Sequence, residues 1–226
     1  MPLADFQEQF PRLCARLTAT KRDGRIAHAY LFVGDNDAIL GRFATAWAQV
    51  VACPSPGPAG GACGACDCCR RLAAGTYPER RDLAPESKSR QILIDNVREF
   101  ERHLALAADK GYRRLGVITA AEAMTQEAQN AFLKTLEEPA ASTVLLLLST
   151  QPRLLLPTIR SRCQIVSLLQ NRKDYSDLID KGLFAVLAPL RRHAGAAVGL
   201  RTAAGLAALF SQLMEEAKEA VPPAID

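Results

Sequence analysis

No stretch of this 226-residue chain is apolar for long enough to cross a bilayer. The longest apolar runs, such as "VLLLLS" at 144–149, fall far short of the ~20 residues a membrane helix needs. The N-terminus, "MPLADFQEQFPRLCARL", carries an early acidic residue and alternates polar with apolar positions, which does not fit a secretory signal peptide. A strong charge of one sign is lacking too: 28 Lys and Arg against 24 Asp and Glu leave only +4. That balance permits contact with nucleic acid without arguing for it, because a binding face shows clustered Lys/Arg. Glycine (14) and proline (13) are in ordinary supply, so no long disordered tract is expected. These absences leave a soluble, cytoplasmic protein with no membrane partner as the expectation.

What is present is a core. Apolar residues make up 49% of the chain, enough for one sizeable domain or one domain with a smaller companion. Phe6, Phe10, Leu13, Cys14 and Leu17 form one helical stripe, on which Cys14 reads as a small core residue. "AYLFVG" at 29–34 predicts a buried strand, and Ile39–Val51 a helix with Phe43, Trp47 and Val51 at four-residue spacing. A strand or turn and then a helix follow over 90–108, and a strand over 113–120. Thr125 is placed to cap a helix through Ala128, Ala131, Phe132 and Leu136, ended before Pro139. "STVLLLLST" at 142–150 and "QIVSL" at 164–168 predict two more strands. Strands alternating with helices imply parallel βαβ units, an α/β domain over residues 1–168. The composition of 169–226 predicts only helix.

The cysteines interrupt this rhythm. Of the seven, Cys53, Cys63, Cys66 and Cys69 are spaced C-x9-C-x2-C-x2-C in a glycine-rich insert at 53–69, with Cys68 as a spare. Four thiolates closing a tetrahedron suit a structural zinc ion with no open coordination position. A redox CxxC pair and unpaired surface thiols are the alternatives, although thioredoxin-type pairs sit at strand-to-helix junctions. Cys68 competes with Cys69 as a ligand on sequence grounds alone.

Residues 31–44, "LFVGDNDAILGRFA", have the outline of a phosphate-binding loop after a strand, but no lysine followed by a hydroxyl residue. With Gly34 as the first loop glycine, the lysine place falls on Leu40 and the Ser/Thr place on Gly41. Sliding the pattern so that Gly41-Arg42 imitates Gly-Lys leaves the spacing two residues too long.

Three further stretches, "HAYLFVG" (28–34), "NAFLKTLEEP" (130–139) and "LLPTIRSRCQ" (155–164), together with the cysteine insert, resemble the AAA+ clamp-loader ATPase family of bacterial DNA polymerase III over about residues 5–170. The resemblance implies an AAA+ P-loop-type parallel sheet with flanking helices, a small zinc-binding insert and a C-terminal helical lid-like segment. It also implies that Arg162, within Ser161-Arg162-Cys163, is an arginine finger projecting from the start of a helix into a neighbouring subunit's ATP site. Ser161 then caps the following helix and Cys163 packs behind the arginine. Without the resemblance, Arg162 reads as one half of a surface salt bridge. In active members an Asp-Glu pair ends the strand eleven and ten residues before the asparagine matching Asn130. Here those places hold Thr119 and Ala120. Two losses at one site follow the family's δ′ pattern and not its γ/τ pattern.

The resemblance therefore implies a subunit that binds no ATP itself and is not an enzyme in its own right. Its expected partners are γ/τ and δ subunits and, through the assembly, the sliding β-clamp and primed DNA. The 169–226 segment is too short for the lid and collar domains together, so the collar is expected to be missing or truncated. Thr150 occupies the family's sensor-threonine place and is expected to be a plain strand-end residue. His28 is expected to be buried and hydrogen-bonded, and Lys134, Glu137 and Glu138 to form a solvated face or a contact with a neighbour. Two other functions compete. A divergent ATPase using Arg42 and Glu122 would bind Mg·ATP saturably, although Glu122 otherwise reads as a solvated loop carboxylate. A stand-alone zinc-containing DNA-binding protein would show salt-dependent duplex binding.

Overall fold

The computed structural model describes residues 3–57, 60–85, 90–105, 112–140, 142–169, 186–188, 202–209 and 211. The chain divides into two compact units, Met1–Leu169 and Gln170–Asp226.

In the first unit a 3-10 turn (Leu3–Phe6) precedes α1 (Pro11–Arg22). The apolar stripe seen in the sequence runs through both, but the helix itself starts at Pro11. Proline fits a first helical position, where its missing N–H costs nothing. Cys14 and Leu17 are buried as expected. β1 (Ala29–Val33) leads to α2 (Asp37–Ala52), whose first turn is capped by Asn36 Oδ1 accepting from the Ile39 N–H at 3.1 Å. α3 (Asp67–Ala73), β2 (Arg80–Leu83), α4 (Ile94–Ala105) and β3 (Arg114–Ile118) follow. Then come α5 (Gln126–Glu137), β4 (Thr143–Ser149), α6 (Pro157–Arg162) and β5 (Gln164–Ser167). Thr125 caps α5, its hydroxyl accepting from the Ala128 N–H at 3.3 Å.

The five strands pair in parallel in the order β2-β3-β4-β1-β5. Side chains alternate across the sheet. Tyr30, Phe32, Leu115, Val117, Leu146 and Leu148 face α1 and α2, where Trp47 and Phe43 lie fully buried. Leu31, Val33, Ile118, Leu145 and Leu147 face the opposite layer of α4, α5 and α6. Burial on both faces is why the central strands read as unbroken apolar runs. α4 lies so close to β3 that a Cβ on Gly116 would sit 2.9 Å from both Phe100 Cζ and Leu145 Cδ2, so glycine at this position permits the approach.

In the second unit, residues 202–209 are helical and 186–188 form a short helical turn. Gly205 meets Val186 there, with a built Cβ 3.0 Å from Val186 Cγ1. Most of the lid-like segment expected over 169–226 lies outside the described residues. Among the described residues, no helix is long and apolar enough to cross a membrane.

Candidate functional site

In an open parallel sheet, ligands bind beyond the carboxyl ends of the strands. Gly34, Thr119 and Thr150 stand there, just past β1, β3 and β4. Val33 pairs with Ser149 across the β1–β4 ladder, and the Gly34 N–H donates to the Ser149 carbonyl at 3.3 Å. The sheet thus brings Gly34 and Thr150 side by side.

Of the residues at the phosphate-binding places, Leu40 faces inward. Leu40, at the lysine place, has no exposed surface, and a Cβ on Gly34 would lie 3.1 Å from its Cδ2. The leucine fills the space next to the loop glycine with hydrocarbon and belongs to the core cluster under α2. The Ile39 N–H, one of the first-turn donors that would otherwise reach a phosphate, is held by Asn36. Gly41 has nothing near its Cα that a Cβ would meet. Arg42 lies with its guanidinium carbon 5.9 Å from the Phe6 ring centre, engaged with an aromatic face.

At the end of β3, Ala120 adopts a left-handed conformation (φ 49°, ψ 56°), which costs an alanine roughly 1–2 kcal/mol. This turn leads Glu122 back toward β4. Its Oε1 accepts from the Thr150 N–H at 3.0 Å, the Thr150 hydroxyl at 2.8 Å and the Gln151 N–H at 3.2 Å. Burial alone would push the carboxyl pKa up. The residue's own backbone N–H, the neighbouring Ser149 hydroxyl and Thr150 outweigh it, and the net shift is downward. Glu122 is therefore not a solvated loop carboxylate, and its Oε2 is buried with no hydrogen-bond partner among the described residues. It is an internal anion occupying the donors of Thr150, which is correspondingly more than a plain strand-end residue.

Arg162 lies at the C-terminal end of α6, not at the start of a helix, and β5 follows. Ser161 consequently caps nothing downstream; its hydroxyl donates back to the Thr158 carbonyl at 3.0 Å. The Arg162 Nη1 donates to the same carbonyl at 3.0 Å, and Nη2 pairs with Glu137 Oε1 at 2.6 Å. Both side chains retain exposure, 36% for Arg162 and 50% for Glu137. Cys163 packs against the α4–α5 core layer, where burial pushes its thiol up to about 12, well outside the reactive range. Arg160 is half-buried, and its Nε finds no partner. His28 is exposed at the entry to β1, contrary to the expectation of burial, and only its carbonyl is engaged, by the Leu145 N–H.

Gln129 had no role in the sequence reading. It sits on the buried stripe of α5, where its Nε2 donates to the Met124 carbonyl at 3.0 Å and the Leu154 carbonyl at 3.4 Å. Its Oε1 accepts from the Leu156 N–H at 2.8 Å, which fastens the segment leading into α6. The available signal was a glutamine one helical turn before Phe132 on an otherwise apolar face.

The four insert cysteines converge, with all four sulfurs within 4.8 Å of one another. Cys53 caps the end of α2, Cys63 lies on the loop, and Cys66 and Cys69 bracket the first turn of α3. The Cys53 and Cys66 sulfurs are 3.9 Å apart, close to the ~3.8 Å edge of a tetrahedron with 2.3 Å metal–sulfur bonds. Backbone N–H groups of Cys63, Cys66 and Cys69 each point at the sulfur of the preceding member, at 3.3–3.4 Å. The N–H groups of Cys66 and Ala65 bring the Cys63 thiol down to about 6, so it is ionised at neutral pH. Cys68 is turned into the hydrophobic core and stands outside the set. Lys21 Nζ donates to the Val51 and Cys53 carbonyls, and Gln49 Nε2 to the Cys69 carbonyl, pinning the module to the domain. The arrangement fits a tetrahedral metal ion with no ligand position left open.

Comparison with known proteins places this geometry. A family profile described as "DNA polymerase III, delta subunit" matches residues 10–172. The DNA polymerase III subunit delta' of Pseudomonas aeruginosa is 48% identical over 139 residues, which is 61% of this chain and 42% of the relative. The delta' subunit of Escherichia coli K12 is 35% identical over 190 residues, 80% of this chain and 55% of the relative. The chain belongs to the DNA polymerase III delta' family. It spans about half the length of the curated relatives it matches. A crystal structure of a DNA polymerase III gamma subunit-related protein from Thermotoga maritima aligns with TM-score 0.48 at 25% identity, covering 78% of this chain and 54% of that one. The parallel sheet with flanking helices expected from the sequence is the fold observed.

The Glu122 clamp has a pH signature. Because its pKa falls on folding, its contribution is complete above the ordinary value of 4.5 and lost as pH drops through the lower folded value. Glu122→Ala is expected to destabilise the first unit by about 1–2 kcal/mol at pH 7. The gap to the unsubstituted chain should close progressively in urea titrations run below pH 4.5.

Proposed function

We propose that this chain is a δ′-type subunit of the replicative clamp loader that does not hydrolyse ATP itself. It supports ATP-dependent placement of the sliding β-clamp on primed DNA, alongside γ/τ and δ subunits. The observation that carries the non-hydrolytic part is Leu40, fully buried and seated against Gly34 where a phosphate-binding loop would present its lysine. Thr119 and Ala120 at the Walker B places offer no carboxylate for Mg²⁺ or the attacking water. The competing reading, an ATPase using Arg42 and Glu122, is disfavoured because Arg42 is engaged with Phe6 and Glu122 with Thr150.

The chain's contribution to hydrolysis is then made in trans. Arg162 ends a helix and keeps 36% exposure. It serves as an arginine finger for the ATP bound to a neighbouring γ/τ subunit. A guanidinium supplied in this way forks onto the phosphate oxygens and stabilises the charge that develops in the transition state. The gain is about 10³–10⁵ in rate where it has been measured in GTPases. The four-cysteine cluster holds zinc in a structural role, since a closed S4 site leaves no place for a reacting water.

Titrating the purified chain with Mg·ATP should give no saturable binding up to millimolar concentration by calorimetry. Saturable micromolar binding would overturn the non-hydrolytic reading. In a reconstituted assembly, Arg162→Ala should lower the ATPase rate of the γ/τ partner by at least about tenfold; an unchanged rate would remove the arginine-finger role.

Metal analysis of protein purified without chelator should return one zinc per chain. Cys53→Ser and Cys69→Ser should abolish it and lower the melting temperature, whereas Cys68→Ser should retain it. Loss of zinc in Cys68→Ser would mean that the ligand set is misassigned.

A further inference from the structure

Arg162 does not hang free from the end of α6. Two of its five N–H groups are committed, one on Nη1 to the Thr158 carbonyl at 3.0 Å and one on Nη2 to Glu137 Oε1 at 2.6 Å. The acceptors stand on different helices, Thr158 on α6 and Glu137 at the last position of α5. A planar guanidinium bonded through both Nη atoms to two separated acceptors has its plane fixed, whereas a single bond would let it swivel. The frame around it is firm as well, because Gln129 ties the Leu154 carbonyl and the Leu156 N–H to the same α5 that carries Glu137. Among the described residues, three N–H groups, the Nε–H and one on each Nη, find no further partner on a side chain with 36% exposure.

We infer that Glu137 is a positioning residue for Arg162: it holds the guanidinium in one plane so that the uncommitted N–H groups are presented together to a phosphate on an adjoining subunit. The inference rests on the arginine-finger reading above and adds the residue that orients the finger. An exposed ion pair of this kind contributes little to stability, so its effect should appear in orientation and not in melting. A pre-oriented donor raises the rate of a positioned reaction without tightening ground-state binding. Glu137 should therefore act on kcat and leave KM alone.

Two measurements test this. In the isolated full chain, NMR of ¹⁵N-labelled arginine should show hindered rotation of the Arg162 guanidinium. Glu137→Ala should release it, and Glu137→Gln, which keeps the acceptor oxygen, should largely preserve it. In an assembly with an ATP-hydrolysing γ/τ-type subunit, Glu137→Ala should lower kcat by about five- to tenfold with KM for ATP within about twofold. Glu137→Gln should recover to within about threefold of the parent, and adding Glu137→Ala to Arg162→Ala should cost nothing further. Melting temperatures of the single variants should match the parent.

The failures are distinguishable. If Arg162→Ala leaves the partner's ATPase unchanged, the finger reading falls and this inference falls with it. If Arg162→Ala lowers the rate and Glu137→Ala does not, positioning alone is overturned. A freely rotating guanidinium in the parent chain, or a loss in Glu137→Gln as deep as in Glu137→Ala, would overturn it too.

Discussion

The pairing of β1 with β4 sets everything else in the first unit. Its register, Val33 opposite Ser149, fixes where the chain leaves the sheet on both strands. Gly34 and Thr150 consequently emerge as neighbours, with the Gly34 N–H already spent on the Ser149 carbonyl. α2 starts from one exit, and the segment leading to α6 from the other. A slip of one residue in this ladder would turn either Leu31 on β1 or Leu145 and Leu147 on β4 to the wrong layer. The apolar side chains of both faces therefore lock the geometry at the strand ends.

At those ends several groups are engaged within the chain. Leu40 takes up the hydrocarbon space, Asn36 the Ile39 N–H and Glu122 Oε1 the Thr150 donors. Glu122 Oε2 and Ser149 Oγ are buried there with no hydrogen-bond partner among the described residues. The left-handed Ala120 is where strain is tolerated so that Glu122 can reach back, and three hydrogen bonds to one carboxylate oxygen offset that strain.

Much of this was legible in the residues, and the reasons differ from place to place. β1 and β4 were plain because strands buried on both faces leave long apolar runs, and the α5 cap because Thr125 stands at the right distance from the helical stripe. The four-cysteine spacing carried its own geometry, and Cys68 was separated from it only by seeing which side of α3 faces the core. β2, with the sequence "RRDL", was illegible because an edge strand can be mostly charged. The role of Glu122 depended on a backbone turn at Ala120 that no local propensity announces. His28 went the other way, since an apolar strand right after it suggested burial that its position at the strand entry does not give.

Gln129 and Glu137 sit near opposite ends of α5, and each grips the α6 segment, one at its entry and one at its exit. A single crosslink between two short helices is a hinge; two, separated by eight positions along one helix, make a brace that resists rocking about either contact. The pair of helices works as one lever arm, with the guanidinium at its tip.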